Sequence, residues 1–223
     1  MEKDNTNMIY ATMCIGDDFI SSCKDVINSF SENNNLHILT DNPNEFPNAQ
    51  CYQYDRDVFS YYEKLPFILS LVLNKKDRVL YFDADSIEMI QDKEFIFDNN
   101  SVYSYKIYEH KSYTEEELRK DEGMDVMLDI YEELGYKICD YLHERILSIP
   151  YSEKIPLILE EIVELQPLFE ERYPKGKNWD TPSRDDIQSF ANVGCGYGEG
   201  GALSVVLKNN NINVKTLKEN RLI

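Results

Sequence analysis

Arg78-Val-Leu-Tyr-Phe-Asp-Ala-Asp-Ser86 decides the reading of this chain. An apolar run, Val79 to Phe82, ends abruptly in two carboxylates, Asp83 and Asp85. A short, wholly apolar segment of this kind reads as a buried parallel strand that delivers acidic groups to the end of a sheet. Side chains at i and i+2 of an extended chain share a face, so the two carboxylates are expected side by side. Together they suit a hard divalent cation, which prefers oxygen ligands and commonly sits against phosphates.

Outward from that strand, the chain alternates. Met8 to Cys14 reads as a first strand, followed by a helix capped by Asp17 or Asp18 with Phe19, Cys23, Val26, Ile27 and Phe30 at helical spacing. After an Asn33-Asn34-Asn35 turn come strands over Leu36 to Thr40 and Cys51 to Tyr54, then a helix over Leu65 to Leu73 with Pro66 in its first turn. Alternation of this type predicts a doubly wound, mainly parallel α/β sheet. Ligands on such sheets bind beyond the carboxyl ends of the strands.

Beyond Ser86, Val102 to Tyr108 is expected to be another strand. Thr114 and Glu117 form a capping box. Met124, Met127, Leu128, Tyr131 and Leu134 make a helical stripe closed by Gly135. A second helix is expected from Lys137 to Ser148, and a third carries Ile155, Ile158, Ile162, Leu165 and Phe169. Residues 113–172 hold 17 acidic and 6 basic residues, a net of −11 out of −18 for the 223-residue chain. They are expected to be an acidic helical insertion within one domain spanning 1–223. Glycines 194, 196, 198, 200 and 201 read as turns around Glu199, before a helix from Ala202 to Lys208 and a last strand over Ile212 to Thr216.

The charge balance, 23 basic against 41 acidic residues, excludes the basic footprint of a nucleic-acid binder. Five cysteines without CxxC pairing read as reduced, mostly buried thiols rather than a disulfide frame or zinc site. No apolar run approaches the length of a membrane span, and the first residues carry no apolar signal region. A cytoplasmic location is the resulting expectation.

Asp83-Ala84-Asp85 after Val-Leu-Tyr-Phe resembles the DxD motif of nucleotide-sugar glycosyltransferases with the GT-A (Rossmann-like) fold. Ile9-Tyr-Ala-Thr12 resembles the first strand of the glycogenin-like and galactosyltransferase-like branches, and Leu39-Thr-Asp41 the end of their second strand. The resemblance covers about residues 1–90 and, more loosely, 190–217; the acidic segment has no counterpart in it. It implies a metal-dependent transferase moving a sugar from a nucleoside diphosphate, UDP foremost, to a hydroxyl on a glycan, lipid-linked or protein acceptor. Asp83 would touch the donor and help hold Mn²⁺ or Mg²⁺, and Asp85 would bind that ion. Ala11, Thr12 and Asp41 would line the base and ribose pocket, with Lys64 against the phosphates. Glu199 would act as a general base, or stabilise positive charge at the sugar.

Plainer roles compete for each residue. Asp83 and Asp85 suit a solvated turn, Asp41 an Asp-Asn-Pro turn, Lys64 a surface lysine and Glu199 a helix start. His110 and His143 are candidate third metal ligands. Trp179 could stack on an acceptor sugar, and Arg184-Asp185-Asp186 reads as a helix cap. Phe82-Asp-Ala-Asp-Ser86 also fits haloacid-dehalogenase-like phosphatases, with Asp83 as nucleophile and Asp85 as acid/base. A non-catalytic sugar-nucleotide-binding protein whose acidic helices dock a partner is a third reading.

Overall fold

A computed structural model describes residues 8–55, 63–110, 113–120, 122–172 and 196–218. Trp179, Arg184, Asp185, Asp186, Gly194 and Cys195 lie outside these residues.

The first half follows the expected alternation: β1 (Ile9–Met13), α1 (Asp17–Ser31), β2 (Asn35–Thr40), β3 (Gln50–Gln53), α2 (Lys64–Lys75) and β4 (Val79–Phe82). Then come β5 (Val102–Tyr108), α3 (Glu115–Leu118), α4 (Glu122–Glu133), β6 (Tyr141–Ile149), α5 (Ile155–Arg172), α6 (Gly196–Asn209) and β7 (Val214–Thr216). Seven strands form one sheet in the order β3-β2-β1-β4-β6-β5-β7. All pairings are parallel except those of β6, which runs against both β4 and β5. The sheet is therefore mainly parallel, as expected, with one reversed strand.

That reversed strand corrects the sequence reading. A helix is expected from Lys137 to Ser148, but Tyr141–Ile149 forms nine residues of strand between β4 and β5. The segment 113–172 is thus no wholly helical insertion, because it supplies an inner strand of the sheet. The cause is tertiary. Glu144 and Arg145, both good helix formers, interrupt the apolar pattern, whereas the bare edge of β4 needs a hydrogen-bonding partner. Leu142, Ile146, Leu147 and Ile149 are all at most 2% exposed, so pairing with β4 also buries them on both faces. Burial of one such side chain contributes about 1.5–3 kcal/mol, far above the propensity difference of a few tenths per residue.

Strand side chains alternate between two cores. Ile9, Ala11, Val79 and Tyr81 pack with residues of α2, α4, α5 and α6. Leu36, Ile38, Leu80, Phe82 and Ile146 pack with Ile20, Cys23, Ile27 and Phe30 of α1. Cys14, Cys23 and Cys51 are free thiols, and burial pushes Cys14 up to about 12, which keeps it unreactive.

Local signals were partly right. Thr114 and Glu117 do form a reciprocal capping box, on the short helix α3. Gly135, after α4, has φ +70°, the left-handed conformation of a helix stop. Asp17 and Asp18 do not cap α1; Gly16 holds the cap position at φ +91°, and both aspartates lie in the first turn, where the helix dipole favours them. The glycines from 196 to 201 are not turns but the first residues of α6.

Candidate functional site

The carboxyl ends of β1, β2 and β4 share an edge of the sheet. Because β6 is reversed, it is the start of β6 that arrives there. Phe82 pairs with Ile146, and the Asp83 N–H donates to the Arg145 carbonyl at 2.9 Å. Asp83, Asp85, His143, Glu144 and Arg145 are thereby gathered around one strand end.

The two aspartates are not a simple i, i+2 pair on an extended strand. Asp83 is extended, but Ala84–Met89 turns at once into a 3-10 helix. The carboxylates consequently have different partners. Lys64 Nζ lies 3.2 Å from Asp83 Oδ1, and the Tyr81 hydroxyl donates to the same oxygen at 2.9 Å. Asp85 Oδ1 accepts from Ser86 Oγ at 3.0 Å and lies 3.4 Å from Arg145 Nη2. Arg145 Nε also donates to Ser86 Oγ. Asp83 is about one-third exposed (32%) and Asp85 more so (56%).

Lys64 is placed against local preference. It is the first residue of α2, where the helix dipole disfavours a cation, and it is only 4% exposed. Asp83 offsets its charge, and its ammonium also lies 5.5 Å from the centre of the Tyr81 ring. A buried lysine at the wrong end of a helix is a local rule broken for a tertiary partner, a pattern that marks functional sites. The surface-lysine reading of Lys64 is corrected.

Glu144 is the deepest of the acids. Its side chain accepts a 2.9 Å hydrogen bond from the Tyr141 hydroxyl. Burial pushes its carboxyl up to about 7, opposed by the charge of Lys64. Below about pH 4.5 the group is protonated in both folded and unfolded chains. Between there and about pH 7 the folded form keeps a proton that the unfolded form releases, so this contribution to stability falls as pH rises. Glu144→Gln is therefore expected to gain stability relative to the parent protein between about pH 5 and about pH 8 in urea melts. A difference that stays constant with pH would contradict the burial of this carboxyl.

Other expected site residues sit differently. Ala11 and Thr12 are wholly enclosed, and the Thr12 hydroxyl donates to the Phe82 carbonyl at 2.8 Å, which ties β1 to the end of β4. Neither lines an open pocket. Asp41 is exposed at the end of β2, with both carboxylate oxygens 3.1 Å from the Gly16 N–H. It fixes the turn into α1. Glu199 falls in the first turn of α6. Its neighbour Gly200 packs against the Leu142 carbonyl and the Tyr141 hydroxyl, so this stretch of backbone abuts the start of β6.

His143 and His110 belong to an aromatic group. His143 stacks on Tyr108 at 6.2 Å, and His110 on Tyr141 at 5.6 Å. Burial lowers the pKa of His143, the nearby Asp83 opposing. The Arg145 N–H donates to His143 Nδ1. Among the described residues no three His, Cys, Asp or Glu side chains converge as metal ligands, so neither histidine completes a set with the aspartates.

Glu144, Arg145 and Tyr81 were missed by the sequence reading. A signal existed for the first two: Tyr141, Ile146 and Ile149 are aromatic or β-branched residues of a short segment that ends at Pro150.

No family model matches the chain, and no curated protein does. Among solved structures, the glycosyltransferase GlyE of Streptococcus pneumoniae TIGR4 is similar at TM-score 0.41 and 14% identity, over 84% of this chain and 43% of that one. The apo form of the same glycosyltransferase is similar at TM-score 0.41 and 12% identity, over 95% and 45%. The chain spans less than half the length of those proteins. At this similarity the likeness assigns no residue a role. No helix among the described residues is long and apolar enough to cross a membrane.

Proposed function

We propose that the protein is a metal-dependent glycosyltransferase that moves a sugar from a nucleoside diphosphate, UDP foremost, to an acceptor hydroxyl. The observation that carries this reading is the pair of carboxylates at the end of β4, each with one oxygen engaged by protein cations or hydroxyls. The second oxygen of each makes no hydrogen bond among the described residues. Two such oxygens fit Mg²⁺ or Mn²⁺, which is commonly held by one or two carboxylates and completed by water and substrate phosphates. Asp83 and Asp85 would hold that ion, which when bound would neutralise charge on the departing nucleoside diphosphate.

The chain's own residues supply the rest. Lys64 and Tyr81 orient the Asp83 carboxylate, and Arg145 and Ser86 orient that of Asp85. Glu199, on the α6 turn beside the start of β6, is our candidate to take the proton of the acceptor hydroxyl. Asp41 is our candidate for a ribose contact near the α1 entry, in addition to its bond to Gly16.

The test is thermal unfolding with UDP-, GDP- and CMP-sugars, with and without Mn²⁺. A ligand that binds only the folded chain raises the melting temperature according to its concentration over Kd. A metal-dependent shift is expected with a UDP-sugar and is expected to vanish in Asp85→Asn, with the unliganded melting temperature unchanged. No shift with any nucleotide sugar, or an undiminished shift in Asp85→Asn, would sink the assignment. Release of phosphate from p-nitrophenyl phosphate, lost in Asp83→Asn, would point to phosphatase chemistry instead.

A further inference from the structure

The pairing of β5 with β6 slips beside the proposed site. Ser104 pairs with Leu147 and Lys106 with His143, so Tyr105 alone faces Glu144, Arg145 and Ile146. The surplus residues make a bulge in β6, and bulges beside sites re-aim side chains. Here the bulge turns Arg145 onto Asp85 and Ser86. A guanidinium has five N–H donors, and among the described residues that of Arg145 uses two. Its side chain is 39% exposed.

Lys106 lies directly across from His143 and is exposed. Its ammonium sits 4.2 Å from the centre of the Tyr108 ring. Among the described residues it has no carboxylate partner, although the chain carries 41 acidic residues. Lys64, Lys106 and Arg145 bring three cations to a strand end whose carboxylates are Asp83, Asp85 and the buried Glu144; Lys64 pairs with Asp83 and Arg145 with Asp85. In a chain of net charge −18, three cations gathered at one strand end are a local concentration of positive charge.

We infer that Arg145, with Lys106 across the bulge, binds the diphosphate of the donor directly, as a contact independent of the divalent ion. Arg145 offers the paired N–H groups that match two phosphate oxygens, and Lys106 offers a point charge. The inference rests on the proposed nucleoside-diphosphate donor. It adds two binding residues, neither of them on the strand that carries the aspartates.

Calorimetric titration of the full chain with UDP and with inorganic pyrophosphate tests it, in EDTA at low salt and again with Mn²⁺. Both ligands are expected to bind in EDTA. Arg145→Gln is expected to weaken both about tenfold there, as for loss of a charge-assisted phosphate contact. Lys106→Gln should weaken them a few-fold; because Lys106 is exposed, this second variant keeps the test decisive if Arg145→Gln disturbs Asp85. UDP affinity in EDTA unchanged by both substitutions overturns the inference. So does UDP binding only with Mn²⁺, an outcome that leaves the transferase reading standing. Pyrophosphate binding through Arg145 and Lys106 without UDP binding supports the anion site and removes the nucleotide donor. Binding of neither ligand under either condition removes both.

Discussion

Lys64→Met is expected to lower the unfolding free energy by about 3 kcal/mol, the low end for breaking a buried ion pair by removing one partner. The low end applies because Asp83, the carboxylate left behind, is about one-third exposed and water can partly resolvate it. Methionine keeps much of the length and apolar stem of lysine, so the loss reports charge rather than a cavity. Glu144 gives an internal check. Lys64 lowers its proton affinity, so without the ammonium the carboxyl should titrate higher still. Adding Glu144→Gln to Lys64→Met should then recover part of the loss above pH 7. Urea denaturation of the two single variants and the double variant measures this as a coupling energy. Independent, additive effects of the two substitutions would show that Lys64 and Glu144 do not share a field.

Gly200→Ala is expected to cost about 2–3 kcal/mol, through overpacking rather than backbone preference. A Cβ on Gly200 would collide with the Leu142 carbonyl and would stand 2.5 Å from the Tyr141 hydroxyl. The first of these is backbone of β6 and cannot rotate away. The second is the donor to Glu144, so the strain reaches the site. Gly201→Ala is the control. Its Cβ would meet Met127 Sδ at 2.5 Å, the flexible part of a side chain that can swing aside. The better helix propensity of alanine, about 0.5–1 kcal/mol, offsets much of that adjustment. Thermal melts should therefore separate two neighbouring glycines by about 2 kcal/mol, and the UDP-sugar shift of the proposed function should weaken only in Gly200→Ala. Equal effects would mean that α6 does not seat this closely on β6.

The two expectations exploit features that the linear chain conceals to different degrees. Val79-Leu-Tyr-Phe82 was legible because a strand buried on both faces must be apolar at every position, whatever surrounds it. The C-terminal ends of α1 and α4 were legible because glycine and asparagine chemistry acts within a few residues. Lys64 was legible only as a basic residue near a helix start, because its burial depends on Asp83, 19 positions away. The bulge that aims Arg145 was not legible, because it exists only in the register of β5 against β6.

By itself, then, the chain determined the alternating first half, the strand that ends in Asp83-Ala84-Asp85, and the place of both aspartates at the sheet's carboxyl edge. Short-range physics suffices for these: periodicity, caps, and a run too apolar to lie on a surface. Tertiary structure alone decided that Tyr141–Ile149 is a strand, that it runs backwards, and that its reversal brings Glu144 and Arg145 to the same edge. Local preference for helix or strand differs by tenths of a kcal/mol per residue over that segment, whereas pairing with the open edge of β4 and burying both its faces is worth several times more.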